Sequence, residues 1–138
     1  MTVFVCQQCR APLTRAVVLV ELPDPGDDRE PTMGRGTYAV DPEPFGPPYV
    51  PAPPDSPALR RYSTVSVSDG PKGTIVLHPE DFRLWPRRIA RRSIGCCGPA
   101  GTDGPNLVCW CDTEIATEVN DCYTPHEIRL EPDRVTKD

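Results

Sequence analysis

Val3-Phe4-Val5-Cys6-Gln7-Gln8-Cys9-Arg10-Ala11-Pro12-Leu13 opens the chain with a short apolar run, a Cys-x-x-Cys turn and the start of a second apolar run. Two thiolates three positions apart can converge on one tetrahedral metal while the amides of the turn point at the sulfurs, which is how a zinc knuckle is built. Thioredoxin-like redox motifs share the spacing, but they begin a helix after a βαβ pattern. Here Arg10 to Leu13 leads into an extended segment, and Pro12 interrupts any helix. Cys6 and Cys9 therefore read as half of a zinc site.

The other half comes from an internal echo. Cys9-Arg-Ala-Pro-Leu13-Thr-Arg-Ala-Val17 can be laid over Cys111-Asp-Thr-Glu-Ile115-Ala-Thr-Glu-Val119, with apolar residues coinciding four and eight positions after the cysteine. Each segment follows a short apolar lead, Val3-Phe4-Val5 or Leu107-Val108. Two such units are what a pseudo-symmetric four-thiolate site needs; chance similarity between short strand-like pieces is the alternative. The second pair, Cys109-Trp110-Cys111, is one residue short of the usual spacing, so the regular amide geometry is expected to be lost there. The expected ligands of a structural Zn²⁺ are Cys6, Cys9, Cys109 and Cys111, with Cys96 or Cys97 as a replacement for one of the last two. Of the remaining cysteines, Cys122 reads as a small buried residue. The vicinal pair Cys96-Cys97 reads first as unreactive loop thiols, and otherwise as a redox couple or as a second metal site with Cys122 and His126.

Composition points to the same kind of molecule. The chain has 138 residues, one domain by length, yet only 38% are hydrophobic, while 19 prolines and 10 glycines break the chain repeatedly. Strands must be short and connections long, and a lean core gains from a staple. The opening residues have no basic-then-apolar leader, and the run Ala16 to Val20 is too short to cross a bilayer. The expectation is a cytoplasmic protein with reduced thiols, which favours metal over disulfides. Seven cysteines, an odd number, could not all pair in any case. A net charge of −5 argues against nucleic acid over most of the surface.

Along the chain, Leu13 to Leu22 reads as a strand and Gly36 to Val40 as a shorter one. Asp41 to Pro57 holds eight prolines in 17 residues and reads as an extended, partly polyproline-like segment that Phe45 and Tyr49 could pin across the domain, with a mobile linker as the alternative. Arg60 to Ser68 and Thr74 to His78 read as a hairpin across Asp69-Gly70-Pro71-Lys72-Gly73. Pro79 to Phe82 suits a short helix, with a second possible from Arg87 to Arg92. Leu107 to Cys109, Glu114 to Val119 and Glu127 to Leu130 are the closing strands, and a charged tail from Glu131 is expected to fray. The expected fold is mainly β: one zinc-stabilised domain over 1–130 with two knuckles, the proline-rich segment 41–57 within it, at most one or two short helices, and a tail over 131–138.

The leading functional reading is a non-enzymatic zinc-stabilised module that binds a protein or small ligand, since no acid, base or nucleophile set stands out. A thiol-based redox enzyme or sensor using Cys96 and Cys97 is the alternative, and the basic run Trp85-Pro86-Arg87-Arg88-Ile89-Ala90-Arg91-Arg92 is the one feature favouring nucleic acid. Such a run is more often a solvated face paired with the protein's own acids. The N-terminal CxxC, Gly36 to Pro44 (GTYAVDPEP), Cys96 to Cys109 (CCGPAGTDGPNLVC), Glu114 to Thr117 (EIAT) and Asp121-Cys122 together resemble a group of uncharacterised actinomycete-type proteins, a resemblance that spans most of the chain and implies no mechanism. The paired knuckles also resemble the β-tent (MSS4-like) or zinc-ribbon-like architecture. That resemblance implies a fold only: the cereblon-type members use a cage of three tryptophans, and this chain has two, Trp85 and Trp110.

Overall fold

Proline and glycine cut the chain into short pieces, and the strands between them are correspondingly short. The computed structural model describes residues 1–56, 66–70, 72–83 and 87–138. Among these the strands are β1 Phe4–Cys6, β2 Val18–Leu19, β3 Thr37–Asp41, β4 Tyr49–Pro51, β5 Ser66–Ser68, β6 Thr74–Leu77, β7 Arg87–Arg88, β8 Leu107–Val108, β9 Glu114–Val119, β10 Glu127–Leu130 and β11 Val135–Lys137. The helical pieces among the described residues are two 3₁₀ turns, Pro79–Asp81 and Ala90–Arg92. The molecule is mainly β, as its composition requires. Leu84, Trp85 and Pro86, and the part of the expected Arg60 to Ser68 strand that precedes Ser66, lie outside the described residues.

Seven strands form one sheet in the order β2-β3-β6-β10-β9-β8-β7, antiparallel throughout except for the parallel pair β2–β3. β10 lies inside this sheet, with Arg129 between Val76 and Thr117. Successive side chains of a strand point to opposite faces. Ile128 and Leu130 accordingly enter a core with Phe4, Leu13, Leu77, Ile115 and Val135. The ribbon β1–β11 covers this face, and each fully buried aliphatic or aromatic side chain there contributes about 1.5–3 kcal/mol.

The opposite face carries a charge. Arg129 is 1% exposed; its guanidinium donates to Asp41 at 2.8 Å, to Glu127 at 2.8 Å and to Thr74 Oγ1 at 3.1 Å. The Phe45 ring stacks on it at 4.2 Å. Phe45 thus pins the proline-rich segment to the sheet, and Tyr49 pins it again by donating its hydroxyl to the Thr102 carbonyl at 2.9 Å. Within the described residues this segment supplies β4, paired with β5 at Val50 and Val67.

Three expectations need correction. Leu13 to Leu22 is not one strand, because its backbone bonds in several directions. Leu13 N–H donates to Phe4, Arg15 to Asp81, Val17 to Thr2 and Val18 to Gly36, leaving only Val18–Leu19 in the sheet. The hairpin is also not formed by the described residues. Both edges of β6 are taken by β3 and β10, so β5 pairs with β4 instead. The tail does not fray along its whole length. Val135 gives the tail one apolar anchor and β1 offers it a free edge, so Val5 lies opposite Thr136 and Val135 is buried.

Candidate metal centre

The first knuckle closes between β1 and the segment after Cys9. Cys6 N–H donates to the Ala11 carbonyl at 2.9 Å, and Arg10 N–H donates to the Cys6 carbonyl at 2.8 Å. Arg10 sits in the left-handed region at φ 66°, a conformation that turns the chain back toward the sheet. The second knuckle closes in the same way one residue sooner: Cys109 N–H donates to Thr113 at 2.8 Å, Asp112 N–H donates to Cys109 at 2.9 Å, and Asp112 has φ 70°. The amides of Ala11 and Thr113 donate to the sulfurs of Cys9 and Cys111 respectively. With Cys9 laid over Cys111, the closing residue, the left-handed residue and the amide on sulfur all coincide. The expected loss of amide geometry at the shorter knuckle does not occur; the missing residue is absorbed within the loop.

The knuckles bring four sulfurs together. Cys6, Cys9, Cys109 and Cys111 have Sγ atoms all within 4.8 Å of one another, with Cys6–Cys111 and Cys9–Cys109 each at 3.6 Å. A disulfide requires about 2.05 Å, so none is formed. A tetrahedral zinc with bonds of about 2.3 Å has sulfurs about 3.8 Å apart along each edge, and the observed spacing fits such an ion with shifts of tenths of an ångström. Cys6 and Cys109 are buried in the core cluster while Cys9 is exposed, so the site lies where the β1–β11 ribbon meets the main sheet. Burial pushes the Cys109 thiol up to about 12. The Thr113 hydroxyl, 3.1 Å from Cys111, pulls that thiol down to about 6. A metal bound here would take the thiols as thiolates and release their protons.

Cys96 and Cys97 do not join this set. They form a separate group with Cys122, again with all sulfurs within 4.8 Å. His126 is not part of that group; its amide N–H instead donates to the Glu30 carbonyl at 2.9 Å. Cys122 is half-buried rather than buried. Asp121 accepts the amide N–H of Cys97, then those of Cys96 and Cys122, and these bonds hold its carboxyl down to about 2. The alternative grouping of Cys96-Cys97 with Cys122 and His126 is met by the three cysteines and not by the histidine.

A cavity of about 440 Å³ lies on the sheet face that carries Arg129, between Phe45, Tyr49, Val67, Val119 and Tyr123. Glu127 and Arg129 also reach it. Sequence reasoning missed it, because β4 and β5 meet only in three dimensions. The basic run is largely spent on internal pairs. Arg87 pairs with Asp112, Arg88 with Glu118 at 3.0 Å and Arg92 with Glu114; Trp85 lies outside the described residues. His78 caps the Pro79 turn, its Nδ1 accepting the Glu80 amide at 3.0 Å. No helix among the described residues is long and apolar enough to cross a membrane. No family model, curated protein or solved structure matches the chain.

Proposed function

We propose that the chain is a non-catalytic binding module, clamped by one structural zinc on Cys6, Cys9, Cys109 and Cys111, that takes a small apolar or aromatic ligand in the cavity under its proline-rich segment. The observation that carries this reading is the convergence of two knuckles with matching closing bonds on four sulfurs within 4.8 Å. Zinc suits the donor set, since four thiolates in a tetrahedron are a structural zinc arrangement. Bound there, zinc would supply cohesion between the β1–β11 ribbon and the main sheet rather than a reactive group. The same correspondence supports a relation to the β-tent architecture, and reduced thiols suit a cytoplasmic location.

The ligand half of the proposal is supported by the cavity's size and lining. At about 440 Å³ it falls in the range of small-molecule sites, which are mostly apolar with a few polar groups. The aromatic rings of Phe45, Tyr49 and Tyr123 would flank a ligand, and Glu127 and Arg129 would orient a polar end. The test is a fragment screen by ligand-observed NMR on the zinc-loaded protein, repeated with Val67→Trp to fill the cavity. Binding of aromatic fragments that Val67→Trp abolishes is expected. No binding to the parent, or equal binding to the filled variant, would overturn the ligand reading.

A further inference from the structure

Neighbouring residues on an extended chain point in opposite directions, so two adjacent cysteines that both face a third require a specially shaped loop. Gly95-Cys96-Cys97-Gly98 is such a loop. The Sγ atoms of Cys96 and Cys97 are 3.9 Å apart, and that of Cys122 lies within 4.8 Å of both. One carboxylate organises all three residues: Asp121 Oδ2 accepts from Cys96 N–H at 3.1 Å, and Oδ1 accepts from Cys97 N–H at 2.9 Å and Cys122 N–H at 2.7 Å. Asp121 is itself 6% exposed, so these bonds are sheltered from water. The flanking glycines are required by contact. A Cβ on Gly98 would stand 2.5 Å from the Asn120 carbonyl oxygen, and one on Gly95 would run into the Gly98 carbonyl and the Asp121 carboxylate. Asn120 N–H closes the approach by donating to Pro99 at 2.8 Å.

We infer that Cys96, Cys97 and Cys122 form a second metal site, one that takes a soft ion of the Cu(I) class in three-coordinate thiolate binding. Soft thiolate sets select Cu(I) or zinc, and coordination number separates the two here. Structural zinc takes four protein ligands, whereas the described residues bring three sulfurs to this group and no fourth cysteine, histidine or carboxylate. Asp121 accepts three amides from these residues and is not itself a member of the group. Three thiolates about 2.3 Å from a common ion stand about 4 Å apart; Cys96 and Cys97 are already at 3.9 Å, and Cys122 lies within 4.8 Å of both. Cys96 and Cys97 are exposed, so this ion would exchange with solvent chelators, in contrast to the half-buried clamp. On binding, each thiol releases its proton to solvent and its sulfur donates an electron pair to the ion; no electron is transferred.

The site is independent of the clamp and is tested apart from it. Zinc-loaded protein is titrated anaerobically with Cu(I) buffered by a competing chelator, alongside a variant carrying Cys96→Ser, Cys97→Ser and Cys122→Ser. Native mass spectrometry counts each metal, X-ray absorption counts the sulfurs on copper, and near-ultraviolet circular dichroism reports folding. One copper per chain on three sulfurs is expected, with metal at the other site undisturbed. The serine variant, folded, should lose at least 100-fold in copper affinity, and Asp121→Asn should weaken it with all three thiols present. The inference is overturned by absence of stoichiometric copper, by equal copper binding to the serine variant, by preferential uptake of a second zinc, or by a disulfide within the trio in protein kept reduced.

Discussion

Arg10 and Asp112 occupy the same place in two distant turns: each follows the second cysteine of its pair by one residue, and each holds a left-handed backbone, at φ 66° and 70°. Side chains other than glycine, asparagine and aspartate rarely adopt this conformation, at a cost of about 1–2 kcal/mol. Arg10→Gly should therefore be neutral or stabilising by up to about 1 kcal/mol, and Arg10→Val should destabilise by more than about 1 kcal/mol. Urea midpoints of the two zinc-saturated variants measure the difference. If valine is tolerated as well as glycine, the turn is not what fixes the knuckle.

The buried network around Arg129 makes a sharper prediction. Arg129 and Asp41 are both 2% exposed at the side chain and 2.8 Å apart. Asp41→Ala leaves a buried guanidinium short of a partner and should cost about 3–5 kcal/mol. Arg88→Ala breaks the pair with Glu118, in which the arginine side chain is 62% exposed, and should cost less than about 1 kcal/mol. Denaturant unfolding of both variants should separate them by several kcal/mol; similar values would contradict the network's role.

The carboxy-terminal strand should be as important as its burial suggests. Val135 packs in the core with Phe4 and Cys6, and Gln7 N–H donates to Arg134 at 3.0 Å. Removing residues 134–138 uncovers the first knuckle, so zinc release to a chelator should quicken at least tenfold. An unchanged release rate would return the tail to the frayed state expected from its charge.

Much of this fold was legible where the signal is local. Leu107 to Cys109, Glu114 to Val119 and Glu127 to Leu130 are short segments with spaced apolar residues between turn residues, and each forms a strand, the first as Leu107–Val108. Cys6 and Cys9 announce a knuckle by spacing, and Leu13 over Ile115 revealed its partner; both residues are fully buried. Pairing across long separations was not legible. Nothing in Ser66–Ser68 says that it pairs with Tyr49–Pro51 rather than Thr74–Leu77, because that choice depends on β10 having already taken the free edge of β6. Arg129 looks like a surface residue until Asp41 and Phe45 are brought onto it. The grouping of Cys96-Cys97 with Cys122 was open to the sequence as one alternative, but the carboxylate of Asp121 that gathers their three amides, and the exclusion of His126, were not.

The zinc clamp is the central claim, and its magnitude sets the test. Binding of structural zinc contributes about 10–16 kcal/mol in small domains, comparable to or larger than the whole stability of about 5–15 kcal/mol, so loss of the metal should unfold this chain. The measurement is native mass spectrometry of the variant lacking Cys96, Cys97 and Cys122, before and after chelation, with circular dichroism on the same samples. One zinc per chain, together with loss of near-ultraviolet signal when it is removed, is the predicted result. A metal-free protein that keeps its full signal, or disulfides among Cys6, Cys9, Cys109 and Cys111, would contradict it.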